Sequence, residues 1–302
     1  MMVCMSSILD SSGVVLVDKP AGMTSHDVVA RLRRIMGTRR VGHSGTLDPM
    51  ATGVLVVGVE RGTKFLAHVV THDKRYEATM RLGMSTVTDD AEGDVLSSTS
   101  TAGLTEERVR QACARQVGDI MQRPSSVSSI KIDGRRAHER VRAGEDVVLP
   151  ERPVTVHSLD ILGIDAEAPD HIDVRMAVHC SSGTYIRSIA RDVGEDLGVG
   201  GHLVALRRTS VGPFDIADCR TLEQLEEDNS LTMDLDTAMI RCFPTREISE
   251  EQGTDIAMGK WLEPVGRKEV YAVVTPSGQA MALLKEQGRR AASVFVARPH
   301  GL

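Results

Sequence analysis

Asp48 stands in the stretch GHSGTLDPMATGVLVVGV, Gly42 to Val59, where one carboxylate is surrounded by the means of holding it still and accessible. Pro49 has a fixed φ and pushes the residue before it out of the helical region, so Asp48 belongs in extended or turn backbone at a loop tip. Gly42, Gly45 and Gly53 allow positive φ or close backbone approach, and the run Val54 to Val59 reads as a buried strand anchoring the loop. Functional loops on rigid scaffolds are built in this way. A carboxylate so held can act as a nucleophile or a base. The Asp-Pro dipeptide alone fits an ordinary surface turn better, so the wider pattern has to decide.

Other chemistries find little support. The spacing from Gly58 to Gly62-Thr63-Lys64 is too short for a phosphate-binding P-loop, and no strand-turn-helix GxGxxG is present. The acidic group Asp89, Asp90, Glu92 and Asp94 does not follow the spacing of a defined cation loop, so no metal is expected. The five cysteines, Cys4, Cys113, Cys180, Cys219 and Cys242, are odd in number and scattered, which fits reduced structural thiols.

The string GHSGTLDPMATGVL resembles the catalytic segment of the bacterial tRNA pseudouridine-55 synthases, and Asp48 matches the catalytic aspartate of that family. Four further stretches are similar to this family's motifs in the same order: Val14 to Val29, Asp73 to Gly83, Ser181 to Gly194 and Leu206 to Phe214. The resemblance covers roughly residues 13 to 220, and five ordered motifs are far more specific than any one. It implies isomerisation of uridine 55 in the tRNA T-loop. The N1–C1′ bond breaks, the base turns and C5 joins C1′. Nothing is gained or lost overall, so no cofactor is expected. The implied partner is the T-stem-loop of tRNA, met by a monomer.

The same resemblance assigns roles. Arg187, in the TYIRS motif, is the expected counter-charge of Asp48, since a carboxylate kept ionised away from water needs a cation. Tyr76 should face the target base and handle its C5 proton. Tyr185 should line the pocket beside Leu206, and His43 should fill the stack left by a flipped base. Lys19 with Pro20 matches the motif supporting the Asp48 loop and is grouped with the RNA-binding residues. The rival enzyme reading is a nucleoside glycosidase or transglycosylase using Asp48, for which no second well-matched catalytic carboxylate is evident. The rival binding reading is a protein that opens the T-loop without chemistry.

The elements that must position these residues read as mixed α and β. Val14 to Val17 is a short buried strand. Thr24 or Ser25 caps a helix with Val28, Val29, Leu32, Ile35 and Met36 on one face and Gly37 as its stop. Strands are expected at Val54 to Val59, Tyr76 to Leu82, Val154 to Leu162 and Ile172 to Cys180, and a helix from about Thr105 to Val117. A second helix, capped by Thr184, has the stripe Ile186, Ile189, Ala190, Val193 and Leu197 and ends at Gly198. Residues 122–150 are polar and basic, which fits a projecting loop or short hairpin, and by position they resemble the family's RNA-gripping insertion. Ser129 and His138 depart there from the family pattern.

The formal net charge of −6 is unusual for a nucleic-acid binder, but its distribution is uneven. Asp215 to Asp255 holds twelve acidic and three basic residues, leaving the rest of the chain at +3. Arg31, Arg33, Arg34, Arg39 and Arg40 precede the Asp48 loop, and Lys131, Arg135, Arg136, Arg140 and Arg142 form a second basic group. Arg39 and Arg40 are the expected phosphate contacts. No apolar run reaches the roughly 18 to 20 residues that span a bilayer, and the N-terminus lacks the features of a signal peptide, so a cytoplasmic address is expected. Two domains are expected: a catalytic body over 10–242 and a small β-rich module over 243–302, with strands at Val270 to Val274, Ala280 to Leu284 and Ser293 to Val296. By position the module resembles the RNA-binding domain shared by pseudouridine synthases and archaeosine transglycosylases.

Overall fold

The computed structural model describes residues 8–127, 131–132, 135–136 and 149–301, of which 131–132 and 135–136 are described by backbone alone. The fold is mixed α+β. The chain begins with β1 (Gly13–Lys19), α1 (Ser25–Ile35), β2 (Val41–Ser44), β3 (Thr52–Val59), α2 (Gly62–Val69) and β4 (Lys74–Leu82). Next come β5 (Met84–Thr86), β6 (Val95–Ser98), α3 (Glu106–Ala114), β7 (Gly118–Gln122), β8 (Lys131–Ile132), β9 (Arg135–Arg136), β10 (Arg152–Asp165) and β11 (Ile172–Cys180). Then follow α4 (Ile186–Leu197), β12 (Gly201–Val211), β13 (Phe214–Asp215), α5 (Leu222–Glu227), β14 (Met233–Asp234) and α6 (Leu235–Cys242). The chain ends with β15 (Thr245–Glu247), α7 (Glu250–Ala257), β16 (Tyr271–Val274), β17 (Ala280–Gln287) and β18 (Arg290–Val296). Two compact units result, one of Met1–Pro49, Gly53–Thr71 and Val211–Leu302, the other of Met50–Thr52 and His72–Ser210.

In the first unit β1 runs antiparallel to β3 from Gly13↔Val59 to Lys19↔Gly53, and β2 adds to the other edge of β3. The unbroken apolar runs of β1 and β3 reflect burial on both faces. Val15, Val17, Leu55 and Val57 pack with Val28, Val29 and Leu32 of α1, while Val14, Leu16, Val54 and Val56 pack with Phe65 of α2. The second of these cores continues into Ala272, Ala280, Leu283 and Phe295 of the C-terminal strands. Those strands form their own sheet, β15-β16-β17-β18, whose opposite face packs Ile248, Ile256, Tyr271 and Leu284. Each fully buried Leu or Phe contributes about 1.5–3 kcal/mol, so the shared core is a substantial tie.

In the second unit the strand order is β12-β4-β11-β10-β7. β11 buries Ile172, Val174, Met176, Val178 and Cys180 on one face, the alternation expected of a half-covered strand. The helix α4 lies against β4 and ends at Gly198 with φ 75°. Its approach to β12 depends on glycine. A Cβ on Gly194 would meet Gly200 and Gly201 backbone atoms at 2.2 Å, so any side chain there would push the helix away. The expected Thr184 cap is displaced by one residue: Tyr185 is the N-cap and makes no side-chain cap bond, while the Thr184 hydroxyl is engaged with Ser181 O at 3.0 Å in the preceding turn. The strands β8 and β9 pair as a short hairpin within 122–150. Ser129, His138, Arg140 and Arg142 lie outside the described residues.

Candidate active site

The Asp48 loop is clamped on both sides of the aspartate. At Leu47 the backbone N–H donates to Ser25 Oγ at 2.9 Å, and that hydroxyl donates back to Leu47 O at 3.1 Å. Ser25 is buried because the Thr24 capping box places it in the first turn of α1, facing the loop. At Pro49 the carbonyl accepts from Gly22 N at 2.9 Å and from Lys19 Nζ at 3.2 Å. Lys19 also donates to Pro20 O at 2.8 Å and Met23 O at 2.6 Å and is fully buried. Gly45 and Gly53 adopt φ of 75° and 99°, where a side chain would be strained. Asp48 itself is half-buried. A carboxylate fixed through both neighbouring residues needs little reorganisation to react.

Lys19, grouped from the sequence with the RNA-binding residues, therefore occupies the position of a loop buttress with no surface to offer RNA. His43 on β2 pairs with Val57 and meets the His26 ring edge-on at 5.4 Å between centroids. Arg39 is exposed. Arg40 is largely exposed as well but pairs with Glu60 at 3.2 Å. Arg31 is held by Glu226 and Glu223 at 2.8 and 3.3 Å, so the arginine group is partly committed within the fold.

The remaining candidates lie in the second unit. Tyr76 is 8% exposed, on the face of β4 that also carries Lys74, Ala78, Met80 and Leu82. Leu206 is on β12, the strand beside β4. Tyr185 is fixed through its backbone, since its N–H donates to Gln122 Oε1 at 2.8 Å and its carbonyl accepts from Gln122 Nε2 at 3.1 Å. The Arg152 guanidinium lies over its ring at 5.0 Å. Arg187 sits in the first turn of α4 but is buried. Its guanidinium is 3.3 Å from Asp90 Oδ2, donates to Thr88 O at 2.6 Å and Val127 O at 2.9 Å, and contacts Ser125 Oγ at 3.3 Å.

Asp90 was not singled out from the sequence, where its cluster was weighed as a metal site and set aside because TVTDDAEGDV resembles a structural motif of the family. The other Asp90 oxygen accepts from Thr88 Oγ1 at 2.5 Å and Glu92 N at 3.1 Å, and Asp89, at φ 60°, meets Arg191 at 3.3 Å. The acidic run between β5 and β6 is thus a turn built around buried Arg187 and partly buried Arg191. Burial raises the Asp89 carboxyl despite Arg191 and Arg187 nearby. Two buried cations were also missed. Burial, reinforced by the like charge of Arg208, pushes the Lys74 ammonium down to about 8, and Arg208 is 1% exposed. The signal was present: Lys74 is in phase with Tyr76 on the buried side of β4, and Arg208 with Leu206 on β12.

Comparison with known proteins adds to this geometry. Residues 33–186 match the N-terminal domain of the TruB family pseudouridylate synthases, residues 187–243 the tRNA pseudouridylate synthase B C-terminal domain, and residues 243–298 the tRNA pseudouridine synthase II C-terminal domain. The tRNA pseudouridine synthase B of Corynebacterium jeikeium (strain K411) is 73% identical, with 98% of this chain and 97% of the relative covered. That of Corynebacterium glutamicum (strain R) is 60% identical over 96% and 97%. Among solved structures, an H/ACA RNP bound to a substrate RNA containing 2′-deoxyuridine is similar at TM-score 0.72 and 25% identity, covering 97% of this chain and 87% of the other. With a family match over more than half its length and such identity end to end, this chain belongs to the TruB family of pseudouridylate synthases.

Proposed function

We propose that the chain isomerises uridine 55 of the tRNA T-loop, with Asp48 as the one carboxylate that the reaction requires. Family membership makes it a tRNA pseudouridine synthase, an isomerase. The observation that carries the assignment of Asp48 is the double clamp at Leu47 and Pro49, which holds the aspartate backbone while leaving its side chain half-buried. A uridine stacked in a loop is out of reach, so it must be extruded and given a new surface. Tyr76 presents a ring and a hydroxyl for that purpose, the hydroxyl serving the C5 proton. Tyr185 and Leu206 add apolar lining, and His43 occupies the vacated stack. Arg187 balances charge in the reaction, while Arg39 and Arg40 meet the phosphates. Atoms balance without a cofactor: N1–C1′ breaks, C5–C1′ forms, C5 loses a proton and N1 gains one.

Asparagine at position 48 keeps the size of the side chain and removes its charge. Asp48→Asn should retain its circular dichroism spectrum and T-stem-loop binding, yet form no pseudouridine under single-turnover conditions with enzyme in excess. Turnover within about tenfold of wild type, a barrier change of only ~1.4 kcal/mol, would remove Asp48 from the reaction.

A further inference from the structure

Away from these residues, three strands of the second unit bring together two imidazoles and a carboxylate. Asp73 Oδ2 lies 3.1 Å from His157 Nε2 and 3.8 Å from His179 Nε2, and ligand atoms of the three residues all fall within 4.8 Å of one another. A tetrahedral zinc ion with bonds of about 2.0–2.1 Å sets its ligand atoms roughly 3.3 Å apart, so small side-chain rotations suffice to close the group.

The backbone arranges this meeting. Across the β10–β11 ladder Val156 faces Cys180 and Ser158 faces His179, which makes His157 the extra residue of a bulge. Bulges re-aim side chains, and here the His157 ring sits 4.6 Å from that of His179. Asp73 directly precedes Lys74, which pairs with Cys180, while Arg75 pairs with His179. Asp73 is therefore in phase with exposed Arg75 and out of phase with Lys74 and Tyr76, on the side of β4 away from the proposed base-facing residues.

The chemistry of the donors is also suitable. Two imidazole nitrogens and a carboxylate oxygen make a mixed donor set of the kind zinc takes. The Asp73 carboxylate offsets the positive charge of Arg75 and of an incoming cation. A bare hydrogen-bonded histidine–aspartate pair needs one imidazole; the second, delivered by a bulge, is what a cation adds.

We propose that Asp73, His157 and His179 form a surface site for a zinc-class divalent cation, completed by solvent and independent of the isomerisation. Imidazole nitrogen and carboxylate oxygen suit zinc better than magnesium. With one ligand from β10, one from β11 and one from the entry to β4, the bound ion would staple three neighbouring strands, and binding to the folded form alone raises its thermal stability.

The test uses the full-length protein stripped with a chelator and titrated with Zn²⁺ by calorimetry, with Mg²⁺ as comparison. One Zn²⁺ should bind per chain and raise the Tm, Mg²⁺ should do neither, and His157→Ala or His179→Ala should weaken Zn²⁺ by more than about tenfold and abolish the Tm rise. Absence of uptake by the wild type, or unchanged affinity in both alanine variants, overturns the site. If an alanine variant fails to fold, nitrogen NMR of the wild-type imidazoles decides: Zn²⁺ must perturb Nε2 of both His157 and His179, and a spectrum in which either is unmoved rejects the proposal.

Discussion

Removing the carboxylate of Asp90 would take one buried ion-pair partner from the Arg187 guanidinium. Both side chains are 4% exposed and 3.3 Å apart, so little solvent is available to replace the lost partner. Breaking a buried ion pair from one side typically costs about 3–5 kcal/mol. Two effects move this figure in opposite directions. Arg187 keeps its hydrogen bonds to the carbonyls of Thr88 and Val127, which carry part of the charge. Against that, Thr88 Oγ1 and Glu92 N lose their acceptor, at about 1 kcal/mol each. We expect Asp90→Ala to lose about 4 kcal/mol and Asp90→Asn, which preserves the Oδ1 acceptor, about 2–3 kcal/mol.

Urea unfolding followed by circular dichroism measures the loss, and a double-mutant cycle with Arg187→Met isolates the pair. In that cycle the second substitution should cost much less than it does alone, because the ion pair has already gone, giving a coupling of about 2 kcal/mol or more. A loss below ~1 kcal/mol for Asp90→Ala, or additivity in the cycle, would show that Asp90 does not hold Arg187 in the fold.

Ser25→Ala deletes both hydrogen bonds to Leu47 from a buried site, so we expect a stability loss of about 1–3 kcal/mol, and a kcat reduction larger than any change in KM; an unchanged kcat in a folded variant would show that this clamp does not position Asp48. Lys74 is held near 8 against an ordinary 10.5, so between those values the folded chain binds fewer protons than the unfolded one. Stability should therefore rise as pH rises through that window, by at most about 3 kcal/mol, and be lost again as pH falls toward 8; Lys74→Met should flatten the trend in urea melts taken across it, and an identical slope in the variant would exclude Lys74 as its source. Arg39→Glu should weaken T-stem-loop binding and lower the slope of log K against log salt by roughly 1 or more, read by filter binding at several ionic strengths. Arg40→Glu is a poorer probe, because it sets a like charge beside Glu60.

Most regular elements were legible because local signals and burial agree. The Thr24 capping box, the Ile186–Leu197 stripe and the alternation of Ile172 to Cys180 each place an element with a bound near the observed one. Short elements such as α5, β14 and β15 carry no such periodicity, since they are fixed by tertiary contacts: β14 pairs with β1 through Gly13↔Asp234 and Val14↔Met233, from far along the chain, and β15 with β16. Nor could periodicity assign the C-terminal strands to a core. Ala272, Leu283 and Phe295 pack against Phe65 and Leu16, which only the folded chain brings within reach.

The candidate site divides along the same physical line. The backbone of the Asp48 loop was legible because its requirements are written beside it, in Pro49 and in the glycines that reach φ of 75° and 99°, while the role proposed for Asp48 came from the resemblance. Its supports are Ser25 and Lys19, which lie 22 and 30 positions from their loop partners and act through main-chain groups that have no residue identity of their own. Arg187 shows the converse. An arginine in the first turn of a helix ordinarily faces solvent, and here it is buried beside Asp90, a residue in a turn whose acidic composition by itself suggests exposure. Each of the two charges helps to make the other's burial tolerable, and it is the Asp90 partner that the sequence did not reveal. Substitution of one partner exposes the burial cost that the other had offset.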